Sequence, residues 1–230
     1  MLAIFKREFK SYFQNVIGWL FVAALLAVYG LYFYVYNLKN GYPYISYDLK
    51  GIGFIMMIAV PILTMRSLSD EKKTKTDQLM LTSPVSVGRI VAGKYLAMAA
   101  VYTIDIALFA LSPLVLSIYG KVALSEAYVA LFGYWLYGLS CIAVGLFISS
   151  ISESVIISAI LTFTALFLSY MMQSITGLIS SSGNLLTKVL NCFDLYTPFE
   201  NFVSGCFSVT SAAYYVTCLL YTSPSPRDTR

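Results

Sequence analysis

Long uncharged runs alternate along this chain with short polar breaks, and the runs have the length of membrane-crossing helices. They lie near 16–36, 51–66, 95–119, 127–150, 155–179 and 205–221. A helix needs about twenty such residues to cross a hydrocarbon core of about 30 Å, because lipid offers no partner for an unpaired backbone N–H or C=O. The pattern predicts an all-α integral membrane protein, a bundle of six transmembrane helices in one domain over 1–221. Before the first run, MLAIFKREFKSYFQN sets Leu2, Ile4, Phe5, Phe9, Tyr12 and Phe13 against Lys6, Arg7, Glu8 and Lys10. At a period of 3.6 these sort onto two sides, predicting an amphipathic helix in the headgroup region with Phe5, Lys6, Arg7, Phe9 and Lys10 at the interface. The run 16–36 is too long for the core of a signal peptide and lacks an A-x-A-like exit, so it is read as a retained span. The second run is short, so Lys50 and Arg66 are expected to snorkel while the helix extends past both ends, with Pro61 as a point of kinking.

Composition agrees. The chain is 59% hydrophobic and only 11% charged, with a mean hydropathy of +0.76, whereas soluble domains are about a quarter charged. The net charge of +4 is a topology signal. With the amino terminus inside, nine Lys or Arg up to Lys94 fall on the cytoplasmic side, which predicts a multi-pass protein of the plasma membrane with a cytoplasmic N-terminus. No basic stretch is interleaved with stacking aromatics, so nucleic acid is not an expected partner. The chain has no His, which removes zinc helices and Ser-His-Asp or Cys-His catalysis. Cys192 and Cys206 share one loop, where two unpaired thiols are favoured over a disulfide, and no metal-ligand spacing occurs. Residues 222–230 form a polar tail; YTSPSPRDTR reads as translated non-genomic sequence, the natural frame being expected to end near Leu220.

The segment from Arg66 to Lys94 gathers nine charges between two apolar runs. Ser69 is placed to cap a helix whose first turn holds Asp70 and Glu71, where carboxylates meet the positive end of the dipole. Lys72, Lys73 and Lys75 follow, then Leu79, Met80 and Leu81, and Pro84 ends it. A solvated positive-inside loop explains the lysines but not the cap, the acidic first turn or the apolar cluster. Docking to a partner would account for all of them, and on the residues alone the two readings stand side by side.

RSLSDEKKTKTDQLMLTSPVS followed by IVAGKYLA resembles the signature between the second and third spans of type-2 ATP-binding-cassette (ABC) transporter permeases. The amphipathic start, the six-span plan and TPFENFVSG before the last span are similar to that family too. The resemblance implies that the cytoplasmic helix is a coupling helix seated in a cleft of a separate ABC ATPase. Arg66, Glu71, Lys72, Thr76, Leu79, Leu81, Thr82, Ser83, Pro84, Gly93 and Lys94 match the pattern, and Ser69, Asp70 and Gln78 complete the candidate ATPase-binding set. Relatives often carry Gly-Thr and then Glu where this chain has Lys75 and Gln78, which removes an ion pair to the ATPase. The implied function is a permease subunit, with a second permease chain as homo- or heterodimer, that couples ATP hydrolysis by its partner to substrate export. No cofactor is expected on this chain; ATP and Mg belong to the partner, and no enzyme activity of its own is expected.

Two further features bear on this. Gly88 to Tyr95 matches G-x-x-x-x-G-K but has Tyr95 where a P-loop needs Ser or Thr for Mg²⁺, so Gly93 and Ala97 are assigned to close helix packing and Lys94 to interfacial anchoring. Asp105 is read as the one acidic residue deep in a span, where a carboxylate costs about 2.5 to 3.5 kcal/mol. It is a translocation or bundle polar site, expected to hydrogen-bond to another helix. A stand-alone channel or secondary carrier using Asp105 is the alternative function. Gly133, Gly138 and Gly145 make the fourth run rich in small residues, as helix packing requires.

Overall fold

A computed structural model describes residues 2–69, 87–119, 122–152, 154–179 and 194–203, together with 210–211, 213–215 and 217. The described regular elements are all helical: α1 (Leu2–Gln14), α2 (Val16–Phe33), α3 (Ser46–Thr64), α4 (Val87–Phe109), α5 (Ser112–Tyr119), α6 (Leu124–Ile151), α7 (Val155–Ile179) and α8 (Thr197–Val203), with a π-helical turn, Tyr34–Lys39, continuing α2. Five stretches are long and apolar enough to cross a membrane: Val16–Lys39, Ser46–Thr64, Gly88–Ile118, Leu124–Ile151 and Val155–Met172. Most of the sixth expected run, 205–221, lies outside the described residues.

The junction of α1 and α2 shows how the chain satisfies its backbone at a helix end. Asn15 takes an extended conformation between the two helices, and the Trp19 indole donates to the Phe13 carbonyl at 2.9 Å, supplying a partner that the end of α1 leaves without one. Gly18 makes the fold-back possible, because a Cβ there would stand 2.4 Å from the Tyr12 carbonyl oxygen. Phe5, Phe9, Phe13 and Trp19 then form a ladder with ring centroids 5.8, 5.0 and 5.3 Å apart. The expected amphipathic helix is present: Phe5 and Phe9 are half-buried, whereas Lys6, Arg7 and Lys10 are exposed.

The break between α4 and α5 also follows from one residue. Pro113 has no N–H, so the Phe109 carbonyl loses its helical donor. The Ser112 hydroxyl donates to that carbonyl instead at 2.7 Å, and the Tyr29 hydroxyl of α2 donates in turn to Ser112. The Tyr29 ring stacks on Phe109 with centroids 4.1 Å apart. One phenol thereby closes the backbone gap in a neighbouring span. At α8, the Asp194 carboxylate accepts from the amides of Tyr196 at 3.0 Å and Thr197 at 2.9 Å, the side-chain capping that starts a short helix.

Helix α6 lies at the centre. Of its apolar stretch 72% is buried, against 28% for the first span and 22% for the last, so those two form the periphery. Other elements reach α6 at its small residues. A Cβ on Gly133 would fall 2.3 Å from Phe202 of α8, one on Gly138 2.3 Å from Tyr102 of α4, and one on Gly145 2.6 Å from Thr64 of α3. Tyr134, Tyr137, Tyr196 and Phe199 fill the space around the first two, with Tyr137 and Phe199 stacked at 5.4 Å.

Helix α3 extends past the start of the expected 51–66, as its short apolar core required, but ends at Thr64, short of Arg66. It begins at Ser46, and its buried stripe of Leu49, Ile52, Met56, Val60 and Leu63 continues back to Asp48, which is fully buried. Asp48 is thus another buried carboxylate, placed in the first turn of α3, whereas Asp105 lies in the interior of its span. Asn37 of the π-turn donates to the Asp48 carboxylate. Lys50 is only partly exposed and pairs with Glu200 at 3.6 Å, while Arg66 lies beyond the end of α3 and is exposed.

The glycine contacts predict that Gly138→Leu, which drives a side chain into the Tyr102 ring, lowers the thermal stability of the detergent-solubilised protein by about 1 to 3 kcal/mol or prevents its accumulation. Gly30→Ala, at a glycine with nothing within 4 Å of its Cβ, should stay within about 0.5 kcal/mol of the parent.

Candidate functional site

The charged segment expected to dock with a partner lies between α3 and α4, and both of its roots are described. Asp70, Glu71, Lys72, Thr76, Gln78, Leu79, Leu81, Thr82 and Pro84 lie outside the described residues. On the α3 side, Met65 closes the helix through its amide to the Pro61 carbonyl at 2.9 Å, and Ser67 donates to the Thr64 carbonyl at 3.0 Å. The Ser69 hydroxyl donates back to the Met65 carbonyl, and the amide acceptors of its expected cap fall among the undescribed residues.

Two side chains from other helices hold this root. Ser149, near the end of α6 and fully buried, accepts from the amides of Leu68 and Ser69, both at 3.3 Å. Lys94 reaches in from α4 and donates its Nζ to the Ser67 carbonyl at 2.7 Å, with Glu8 of α1 at 3.9 Å. Lys94 is 2% exposed. It was expected to anchor at the interface, and it is instead enclosed. Burying an ammonium costs several kcal/mol unless its hydrogens find oxygen partners and a counter-charge. Here a carbonyl just past the negative end of α3 and the Glu8 carboxylate supply both.

Gly93 completes the arrangement from the other root. Its missing side chain admits α1, with Ile4 3.0 Å and the Phe5 amide 3.7 Å from where a Cβ would sit. Four helices, α1, α3, α4 and α6, thus meet at the base of the segment, and each contributes a contact that crosses between elements. Gly88 to Tyr95 is helical from its first residue. Its later amides are therefore committed to the helix, and the stretch is not a loop that wraps a phosphate.

Deeper in the bundle, Asp105 is fully buried, and neither carboxylate oxygen has a hydrogen-bond partner among the described residues. The expected bond to another helix is not formed among the described residues. Its flank is closed by other contacts: Tyr102 donates to the Tyr134 carbonyl at 2.7 Å, and Trp135 donates to Thr103 at 3.1 Å. Asp48 and Asp105 act on different phenols, Asp48 on Tyr29 and Asp105 on Tyr102 and Tyr134.

The family model described as ABC-2 family transporter protein matches residues 32–222. The chain belongs to the ABC-2 transporter family. None of the curated proteins matches it. As an ABC-2 member with five apolar membrane-spanning helices, it is a multi-pass membrane permease, a transport component that associates with an ABC ATPase. The match includes the whole segment 66–94, so the clamped root belongs to the permease proper.

Sequence reasoning missed Asp48 and Asn37, the burial of Lys94, and Ser149. Asp48 had a signal, since stepping back from Met56 and Ile52 by four residues reaches it. Ser149 had none, because its partners are backbone amides about eighty residues away.

Ser149→Ala should leave the ABC-2 bundle assembled while freeing the Leu68 and Ser69 amides. With about 1 kcal/mol lost, hydrogen exchange at those two amides is expected to quicken about fivefold, as read by mass spectrometry of the solubilised protein, with no change in α7.

Proposed function

We propose that this ABC-2 permease couples ATP hydrolysis by a separate ATPase subunit to the export of a substrate across the plasma membrane. The segment around Ser69 to Pro84 serves as its coupling helix, and its N-terminus is cytoplasmic. The working unit contains two permease chains, since one such bundle supplies half of the helices that enclose a path. ATP and Mg²⁺ sit in the ATPase.

The observation that supports this reading most directly is the bond from buried Lys94 to the Ser67 carbonyl. A loop moved by a partner does work on the bundle only if its roots are stiff. Lys94 ties the α3 root to α4, Ser149 ties it to α6, and Gly93 seats α1 against the same point. A push on the coupling helix as the ATPase dimer closes is then passed to spans two, three and four together instead of being absorbed in the loop. Helix α1 moves with them, carrying Lys6, Arg7 and Lys10 along the headgroups. Arg66, exposed at the root, and the apolar pair Leu79 and Leu81 are the contacts assigned to the ATPase. A stand-alone carrier using Asp105 would instead transport in cells lacking the ATPase, which separates the two readings.

Replacing Leu79 and Leu81 together by Asp should abolish co-purification with the ATPase while membrane insertion and the monodisperse elution of the permease are unchanged. Retained binding of the ATPase would refute the assignment of this segment.

A further inference from the structure

Among the buried charged side chains of the described residues, Asp105 stands apart. Glu8 and Lys94 answer each other, Lys50 has Glu200, and Asp48 has Asn37. Asp105 takes part in none of the ion pairs among the described residues, is fully buried, and both of its oxygens lack hydrogen-bond partners there. It lies about 16 Å along α4 from Lys94, eleven residues at 1.5 Å each, so that ammonium does not neutralise it.

A second unpartnered group accompanies it. Tyr134 of α6 is fully buried, its hydroxyl has no hydrogen-bond partner among the described residues, and it lies within electrostatic range of Asp105. The other phenol that Asp105 acts on, Tyr102, already donates to the Tyr134 carbonyl. Tyr137 and Cys141 of α6 complete the set around these phenols. From α2 the nearest titratable group is Tyr29, stacked on Phe109 one turn further along α4 and committed to Ser112. No cation faces Asp105 from any of these.

We propose that Asp105 is an intramembrane proton-binding site, in electrostatic range of the buried Tyr134 phenol, which likewise has no hydrogen-bond partner among the described residues. A carboxylate in this setting bears the full cost of its charge in lipid-like surroundings. One proton on a carboxylate oxygen removes that charge and leaves a neutral O–H donor in its place. A metal cation fits poorly, because two carboxylate oxygens and one phenol fall short of the six or more oxygens that a hard cation takes. The proton is gained from, and returned to, water that enters when α4 and α6 separate at the Tyr102–Gly138 contact. That last step rests on the permease function proposed above; the proton site itself does not.

The test is infrared spectroscopy of the purified chain in lipid nanodiscs. At neutral pH a protonated-carboxyl C=O band should be present that Asp105→Asn removes and that Asp105→Glu and Tyr134→Phe shift. It should vanish reversibly as the pH is raised. A spectrum in which Asp105→Asn removes no such band would overturn the site, and so would a band that persists to the most alkaline pH the fold survives, which marks a sealed structural acid. Asp48→Asn distinguishes the second buried carboxyl, and Asp105→Glu carries the test should Asp105→Asn not fold. Locking the complex with its ATPase by a non-hydrolysable ATP analogue should diminish the Asp105 band. An unchanged band there would refute exchange during the cycle while leaving the site intact.

Discussion

Close approach to α6 is the constraint on which this bundle depends. Membrane helices gain little from a hydrophobic effect between themselves, since lipid is as apolar as leucine, so they are held by packing and by the polar contacts that packing permits. Gly133, Gly138 and Gly145 supply the necessary depth on three levels, and Phe202, Tyr102 and Thr64 fill it. The consequences reach beyond shape. Tyr102 can donate to the Tyr134 carbonyl only because Gly138 lets its ring lie against the α6 backbone. The same approach seals Asp105 and Tyr134 away from water, converting a tolerable acidic residue into one whose charge has to be relieved.

At one end of the bundle the chain accepts a second cost of the same kind and resolves it differently. Buried Lys94 is met by the Ser67 carbonyl and Glu8, brought to it by α3 and α1. Removing either partner leaves an enclosed ammonium, and that penalty is what makes the junction specific. The three helices have to arrive in one arrangement for the lysine to be satisfied. The contact of the same Glu8 with exposed Arg7, its neighbour in sequence, imposes no such condition.

Much of this was legible in the sequence, and the exceptions share a cause. Of the six spans that the apolar runs predicted, five are present among the described residues, with the amphipathic start, because length and the 3.6-residue period respond to lipid directly. Boundaries were less legible where a polar residue turned inward. Span two was started at Gly51 because Asp48 and Lys50 looked like loop charges, whereas Asn37 reaches Asp48 from the π-turn and Glu200 reaches Lys50. Lys94 was placed at the interface on the same logic, since its partners, a backbone carbonyl and a glutamate 86 positions earlier, leave no local pattern. Asp105 has no hydrogen-bond partner among the described residues, for a related reason. A mid-span carboxylate signals that something must relieve it, but not whether a donor or a proton does so.

The two ends of span three are joined to the bundle in opposite ways, and that asymmetry bears on how movement would pass through it. At the Lys94 end α4 is fixed by contacts to α1 and α3. At the other end its ladder is interrupted at Pro113, and continuity passes through hydroxyls, from Tyr29 to Ser112 to the Phe109 carbonyl. Hydroxyl bonds rotate and re-form at less cost than a helical backbone can be bent, since no peptide unit has to be stripped of its partner in lipid. A displacement delivered at the fixed end is therefore carried as a rigid tilt along α4, past Tyr102 and Asp105, and taken up at the jointed end where α5 begins. The Tyr102–Gly138 contact lies between those two points, where hydrogen bonds from Tyr102 to the Tyr134 carbonyl and from Trp135 to Thr103 tie the tilt of α4 to α6.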